Sequence, residues 1–163
     1  MTTLALRVLG PPMGKGAATT NRQTGATFNP TTTAEWMAVA RTELARQVPV
    51  DWIPLEAPQT VAVFLTAIFG RPKTGPHRFA YRDRRNDRRT RYGKKPDADN
   101  VSKIVLDTMT HAGIWRDDAI ADVAVRRLYQ STEPDDVPRV EILIVWGDDL
   151  DRLPWPPDAL EDW

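Results

Sequence analysis

Val61-Ala62-Val63-Phe64-Leu65-Thr66-Ala67-Ile68-Phe69 is the stretch on which the fold turns. Its apolar residues fall on both alternations, so as a strand it has no polar face to give to water. Such a strand is predicted to lie centrally in a sheet. Upstream, Leu4 to Leu9 reads as a first strand, with Leu4, Leu6 and Val8 on one face and Gly10-Pro11-Pro12 as its stop. A polar loop follows, containing Lys15-Gly16 and Thr24-Gly25. Thr32 stands three residues before Glu35, a capping-box pattern that opens a helix to about Gln47. Trp36, Met37, Ala40, Leu44 and Val48 give that helix its apolar side, and Pro54 and Pro58 break the chain before the central strand.

Downstream, residues 71–95 show neither helical nor strand periodicity. That is long for a structureless connection inside a domain and points to a functional loop. A second helix is predicted over about 100–112, where Val101, Ile104, Val105, Thr108 and Ala112 recur at helical spacing and Gly113 ends the run. Two strands follow, near 119–128 and 138–146; the last alternates Val140, Ile142, Ile144 and Trp146 with Arg139 and Glu141. The expected fold class is α+β: one domain in the order β-α-β-α-β-β, a mixed sheet covered by helices. The domain is assigned to residues 1–146, and 147–163 to an acidic tail with Pro and Trp, expected to be poorly ordered.

Composition narrows the function. The chain has no cysteine, which excludes disulfides, thiolate metal sites and thiol catalysis. No run approaches the roughly 20 apolar residues that cross a bilayer, and no secretory signal is legible, so a cytoplasmic protein without a membrane partner is expected. Net charge is zero, but it is unevenly placed. Residues 71–95 hold eleven Arg and Lys against two Asp, and residues 133–163 hold ten Asp and Glu against two Arg. A polyanion would meet the first segment and avoid the second.

The segment Lys95-Pro96-Asp97-Ala98-Asp99-Asn100 carries the chemistry. In extended chain, residues two apart point the same way, so Asp97 and Asp99 can aim at one point before the helix. Asp99, Lys103 and Asp107 then share one helix flank, away from the apolar stripe. Asp117 and Asp118 lie on the turn out of the helix, and a helix packed on the sheet could return that turn to the level of Asp97. Clustered carboxylates disfavour one another's ionised forms unless a cation joins them, and their oxygens suit Mg²⁺. Each residue also has a plain structural reading. Asp97 or Asp99 can cap the helix, Asp99–Lys103–Asp107 can be a surface ion-pair ladder, and Asp117-Asp118 can be turn residues.

Taken together, Pro96-Asp97-Ala98-Asp99-Asn100-Val101-Ser102-Lys103, Leu106-Asp107, Gly113-Ile114-Trp115 and Asp117-Asp118 closely resemble the RusA-like Holliday-junction resolvases. The family pattern is P-D-x-D-N-x-x-K, a helix with L-D, then a G-x-W/Y-x-D-D turn. Gly10-Pro11-Pro12-Met13-Gly14-Lys15 resembles the family's G-x-P-x-x-K opening, and the likeness spans about residues 4–146. The resemblance implies a homodimer that cuts four-way DNA junctions with Mg²⁺ or Mn²⁺ in recombination or repair, often of phage origin. It implies that Asp97, Asp99 and Asp118 bind the metal, with Asp117 supporting or sharing it, and that Lys103 is the catalytic lysine.

This sequence departs from the family pattern at DNA-contact positions. Lys15 is followed by Gly16 and Ala17 instead of a K-x-R run, and Arg126 and Arg127 stand where a lysine is common. The expected DNA contacts are Lys15, Arg71, Lys73, Arg78, Arg82, Arg84, Arg85, Arg88, Arg89, Arg91, Lys94, Lys95 and Arg127. Arginine forks pair with phosphates, and Phe79 or Tyr81 could stack on an unpaired base. The alternatives are a non-catalytic DNA-binding or regulatory protein on the same fold, and a metal-dependent flap or RNA nuclease.

Overall fold

The computed structural model describes residues 1–16, 19–20, 27–28, 31–71, 92–131, 135–148 and 150. The element order is β1 (Thr2–Leu9), β2 (Thr19–Thr20), β3 (Thr27–Phe28), α1 (Thr31–Gln47), β4 (Val61–Phe69), α2 (Ala98–His111), a 3-10 turn (Asp118–Ile120), β5 (Ala121–Tyr129) and β6 (Arg139–Trp146). Four strands form one sheet in the order β1-β6-β4-β5. β4 is interior, as its double-sided apolarity requires. It runs parallel to β5, with Val61 opposite Ala121, and antiparallel to β6, with Val61 opposite Trp146. The short antiparallel ladder of β2 and β3 falls where only a polar loop was expected, because strands of two residues are too short to show an alternation.

Eight of the nine β4 residues are buried, and Thr66 is the exception. Its odd-numbered side chains join Leu6, Val8, Val140, Ile142 and Ile144 in a core with Ala40 and Leu44 of α1 and Val101, Ile104, Val105 and Met109 of α2. Each large apolar side chain buried there contributes about 1.5–3 kcal/mol. On the opposite face Ala62, Phe64 and Val145 form a smaller cluster against which Leu143 and Leu150 pack. Both helices run close to their expected spans. α1 begins at Thr31, so Thr32 lies within the first turn, and α2 begins at Ala98 because Asp97 takes the N-cap.

β1 is an edge strand, whose outward backbone groups would otherwise invite another strand. Side chains of α1 occupy them. Gln47 Oε1 accepts from Arg7 N–H at 2.8 Å, its Nε2 donates to Arg7 C=O at 2.6 Å, and Glu43 Oε2 accepts from Leu9 N–H at 2.9 Å. No helix among the described residues is long and apolar enough to cross a membrane. Most of the expected basic loop, residues 72–91, and the tail from residue 151 lie outside the described residues.

The path of α2 decides what can meet at a site. β4 and β5 are parallel neighbours, so the connection between them must return the chain to the starting end of the sheet. α2 makes that return. Before it, Tyr92 N–H donates to Arg127 C=O at 2.9 Å, near the end of β5. After it, Leu55 N–H donates to Ile114 C=O at 3.1 Å and Arg116 N–H to Leu55 C=O at 3.0 Å, ahead of the start of β4.

Candidate active site

Asp97 and Asp99 flank the first residue of α2. Asp97 has extended backbone (φ −75°, ψ 171°), and its Oδ1 accepts from Asn100 N–H at 3.0 Å. This satisfies one of the helix's orphan donors and places a negative charge at the positive end of its dipole. The plain capping role of Asp97 is therefore real, and it commits one of two carboxylate oxygens. Asp99 is exposed in the first turn, and Lys103, one turn later, donates to its Oδ2 at 2.6 Å. With side chains 56% and 68% exposed, this pair is screened by water and adds little to stability. It does hold the Lys103 ammonium above the usual lysine range, through the hydrogen bond to Asp99 and its charge, against desolvation, with Asp97 adding in the same direction. Lys103 stays protonated through neutral and mildly alkaline pH.

The third residue of this flank, Asp107, pairs with Lys15. Lys15 was expected at the DNA, and here its ammonium is drawn onto α2 while its N–H donates to Asn100 C=O at 2.9 Å. The preceding Gly14 lies so close to the acidic motif that an added Cβ would stand 2.3 Å from Pro96 Cβ. Only a residue without a side chain allows that approach. The N-terminal Gly-Pro motif and the Pro-Asp motif, far apart in sequence, thus form one packed unit.

On the other side of Pro96, the turn carrying Lys94 and Lys95 is tied to β5. Arg127 donates from one guanidinium nitrogen to Lys94 C=O at 3.0 Å and Pro96 C=O at 2.8 Å. The Tyr92 hydroxyl donates to Lys95 C=O. The Tyr92 ring is stacked on Phe69 at 3.8 Å and meets Tyr129 edge-on at 4.9 Å. Burial pushes the Tyr92 hydroxyl above the usual phenol range, as does Tyr129, while Arg127 pulls the other way. Periodicity gave no hint of Tyr92, because it lies in an aperiodic loop; the glycine at 14 between flanking polar and apolar residues was the available cue to a close approach.

Asp117 and Asp118 are elsewhere. Asp117 Oδ1 caps the 3-10 turn by accepting from Ala119 N–H at 2.9 Å, and half-buried Asp118 begins that turn. They follow the C-terminal end of α2, whose 14 residues span about 21 Å. A helix packed on the sheet could have returned this turn to the level of Asp97; the crossover instead carries the chain back to the start of β5, which directly follows Asp118–Ile120. Among the described residues, no three Asp, Glu or His side chains form a ready metal cluster. Trp115, just before this turn, is 1% exposed and donates from Nε1 to Thr110 Oγ1 at 2.8 Å.

Of the expected DNA contacts, exposed Lys94 and Lys95 are separated from Asp97 by Pro96 alone, and Arg71 Nε donates to Gln130 C=O at 2.6 Å. Lys73, Arg78, Arg82, Arg84, Arg85, Arg88, Arg89 and Arg91 lie outside the described residues. A family profile described as Endodeoxyribonuclease RusA matches residues 10–145, from the Gly-Pro motif almost to the end of β6. A search of curated proteins gave no match.

Proposed function

Because the chain belongs to the endodeoxyribonuclease RusA family, we propose that it is a Mg²⁺-dependent endonuclease that resolves four-way DNA junctions as a homodimer, with Mn²⁺ able to replace Mg²⁺. The observation that carries the reading is the start of α2: Asp97 and Asp99 exposed two residues apart, a protonated Lys103 at 2.6 Å from Asp99, and Lys94 and Lys95 just before them. The donor set fits a hard cation, since every candidate ligand is a carboxylate oxygen. When bound, the cation supplies charge neutralisation at the phosphate and a more acidic water.

The chain's own residues do the rest. Lys94 and Lys95 draw the DNA backbone to the carboxylates through phosphate contacts. Lys103 presents its fixed positive charge to the negative charge that develops on the phosphate. Asp97 is held in place by the cap it makes, and Asp99 by its ion pair, so neither must be ordered at the moment of reaction.

Asp118 enters through the second subunit. In one chain the whole of α2 lies between it and Asp97, whereas a two-fold partner with its α2 alongside and reversed would supply its own Asp118 to Asp97 and Asp99. Two equivalent sites follow from the symmetry, matching the paired nicks that a near two-fold junction needs. The second reading is a DNA-binding protein without catalysis on the same fold.

A nicking assay separates them, using a synthetic four-way junction and a matched linear duplex, each with Mg²⁺ and with EDTA. Symmetric Mg²⁺-dependent cuts in the junction alone are expected. A junction bound but uncut in both Mg²⁺ and Mn²⁺ would make the binding reading the better one. Equal cutting of both substrates would keep the metal chemistry and remove junction specificity.

A further inference from the structure

Arg127 was expected to touch DNA, yet its geometry assigns it inward. Its guanidinium bridges Lys94 C=O and Pro96 C=O, two carbonyls of the turn whose next residue is Asp97. It is half-buried on β5, the strand that carries Tyr129, and its own C=O accepts from Tyr92 N–H at 2.9 Å. The turn is thus gripped from three sides. Arg127 holds its carbonyls, Tyr92 holds Lys95 C=O from a ring stacked on Phe69, and Gly14 closes against Pro96. Carbonyl oxygens in a charged, lysine-rich turn need a donor, and a single nitrogen serving two of them fixes their relative orientation as well as their position.

We propose that Arg127 is a positioning residue for the metal site: by bridging Lys94 and Pro96 it sets the backbone from which Asp97 reaches the cation. The proposal rests on the metal-dependent reading above. It differs from a DNA-contact role in what it predicts without DNA. Outer-shell partners of metal ligands typically change metal affinity or activity by about 10–100-fold when removed, whereas loss of one phosphate contact leaves metal affinity alone and lowers the salt slope by about one.

The test is Mn²⁺ binding to the full chain without DNA, read by electron paramagnetic resonance of free Mn²⁺. Junction affinity at several salt concentrations in EDTA and a thermal melt run beside it. Arg127→Gln is expected to weaken Mn²⁺ binding about tenfold or more while leaving the junction salt slope and the folded state in place. Arg127→Lys, whose ammonium can still hold a carbonyl, is expected to recover part of the loss. Unchanged Mn²⁺ affinity in Arg127→Gln together with a reduced salt slope overturns the proposal in favour of a DNA contact. If Arg127→Gln does not fold, Arg127→Lys decides alone: Mn²⁺ affinity equal to that of the unsubstituted chain overturns it, and an intermediate loss supports it. Failure of the unsubstituted chain to bind Mn²⁺ overturns the metal reading and this assignment with it, an outcome distinct from equal binding by both.

Discussion

Asp99 Oδ2 already holds a cation, the Lys103 ammonium at 2.6 Å, so Lys103 competes with any metal for that oxygen. Two effects of removing it therefore have opposite signs. Lys103→Met is expected to raise Mn²⁺ affinity severalfold, since a like charge leaves the site, and to lower the rate of cleavage by about 10²–10³, the usual cost of losing one group aimed at developing charge. Titration with Mn²⁺ and single-turnover cleavage check the two halves; a variant that loses metal binding would mean that Lys103 organises the carboxylates instead. Asp99→Asn is expected to abolish cleavage and largely keep junction binding, and loss of binding would make Asp99 a folding residue. Lys103 beside Asp99 was legible because i and i+4 on a helix fix directions from spacing alone, whereas Asp99 itself, read in extended chain before the helix, lies in its first turn, and only Asp97 keeps the extended backbone. Tyr92 and Gly14 were not legible. Their contacts are set by which loops the sheet brings together, and a loop has no period from which direction can be read.

At the level of elements, the same contrast separates α2 from the loop around Gly14. The burial of Val101, Ile104 and Val105 follows from the apolar stripe, and Asp97 takes the cap as one of the two expected candidates; only the start of the helix was placed late, at about 100 instead of Ala98, because Asp97, Asp99 and Asn100 are all good caps. The loop, by contrast, has its role only through Pro96. Gly14→Ala would put a Cβ 2.3 Å from Pro96 Cβ, with Asn100 Cβ 3.3 Å away, so the loop or the acidic turn must move. Overpacking of this kind typically costs about 1–3 kcal/mol. The expected result is a lower melting temperature with a weakened Mn²⁺ affinity; an unchanged melt and unchanged affinity would show that the two motifs separate freely. The basic segment 71–95 makes a prediction from charge alone. Replacing its arginines with glutamine is expected to weaken junction binding and flatten its dependence on salt, since fewer counterions are released. An unchanged salt slope would exclude it as the main DNA contact.

At the scale of the whole molecule, the direction of one helix controls where the carboxylates can act. That Asp118 follows α2 was plain from the sequence; that it lies at the far end of the sheet was not, because spacing does not say whether β4 and β5 are parallel. Once they are, the helix between them must run back along the sheet, and its 14 residues, about 21 Å long, lie between Asp97 and the turn that carries Asp118. In the proposed homodimer, a site that uses both would draw them from two chains. This has a consequence that no single-site arrangement shares. In a dimer with shared sites, one site combines Asp99 of the first subunit with Asp118 of the second, and the other site combines the reverse pair. Asp99→Asn and Asp118→Asn homodimers would each be inactive. A mixed dimer would place both substitutions in one site and leave the other intact. Mixing the two inactive variants, by co-expression with different affinity tags and isolation of the doubly tagged species, is expected to restore Mg²⁺-dependent cutting as single nicks without paired resolution. If each site were built within one chain, every site in the mixed dimer would carry one lost carboxylate, and the doubly tagged species would stay inactive.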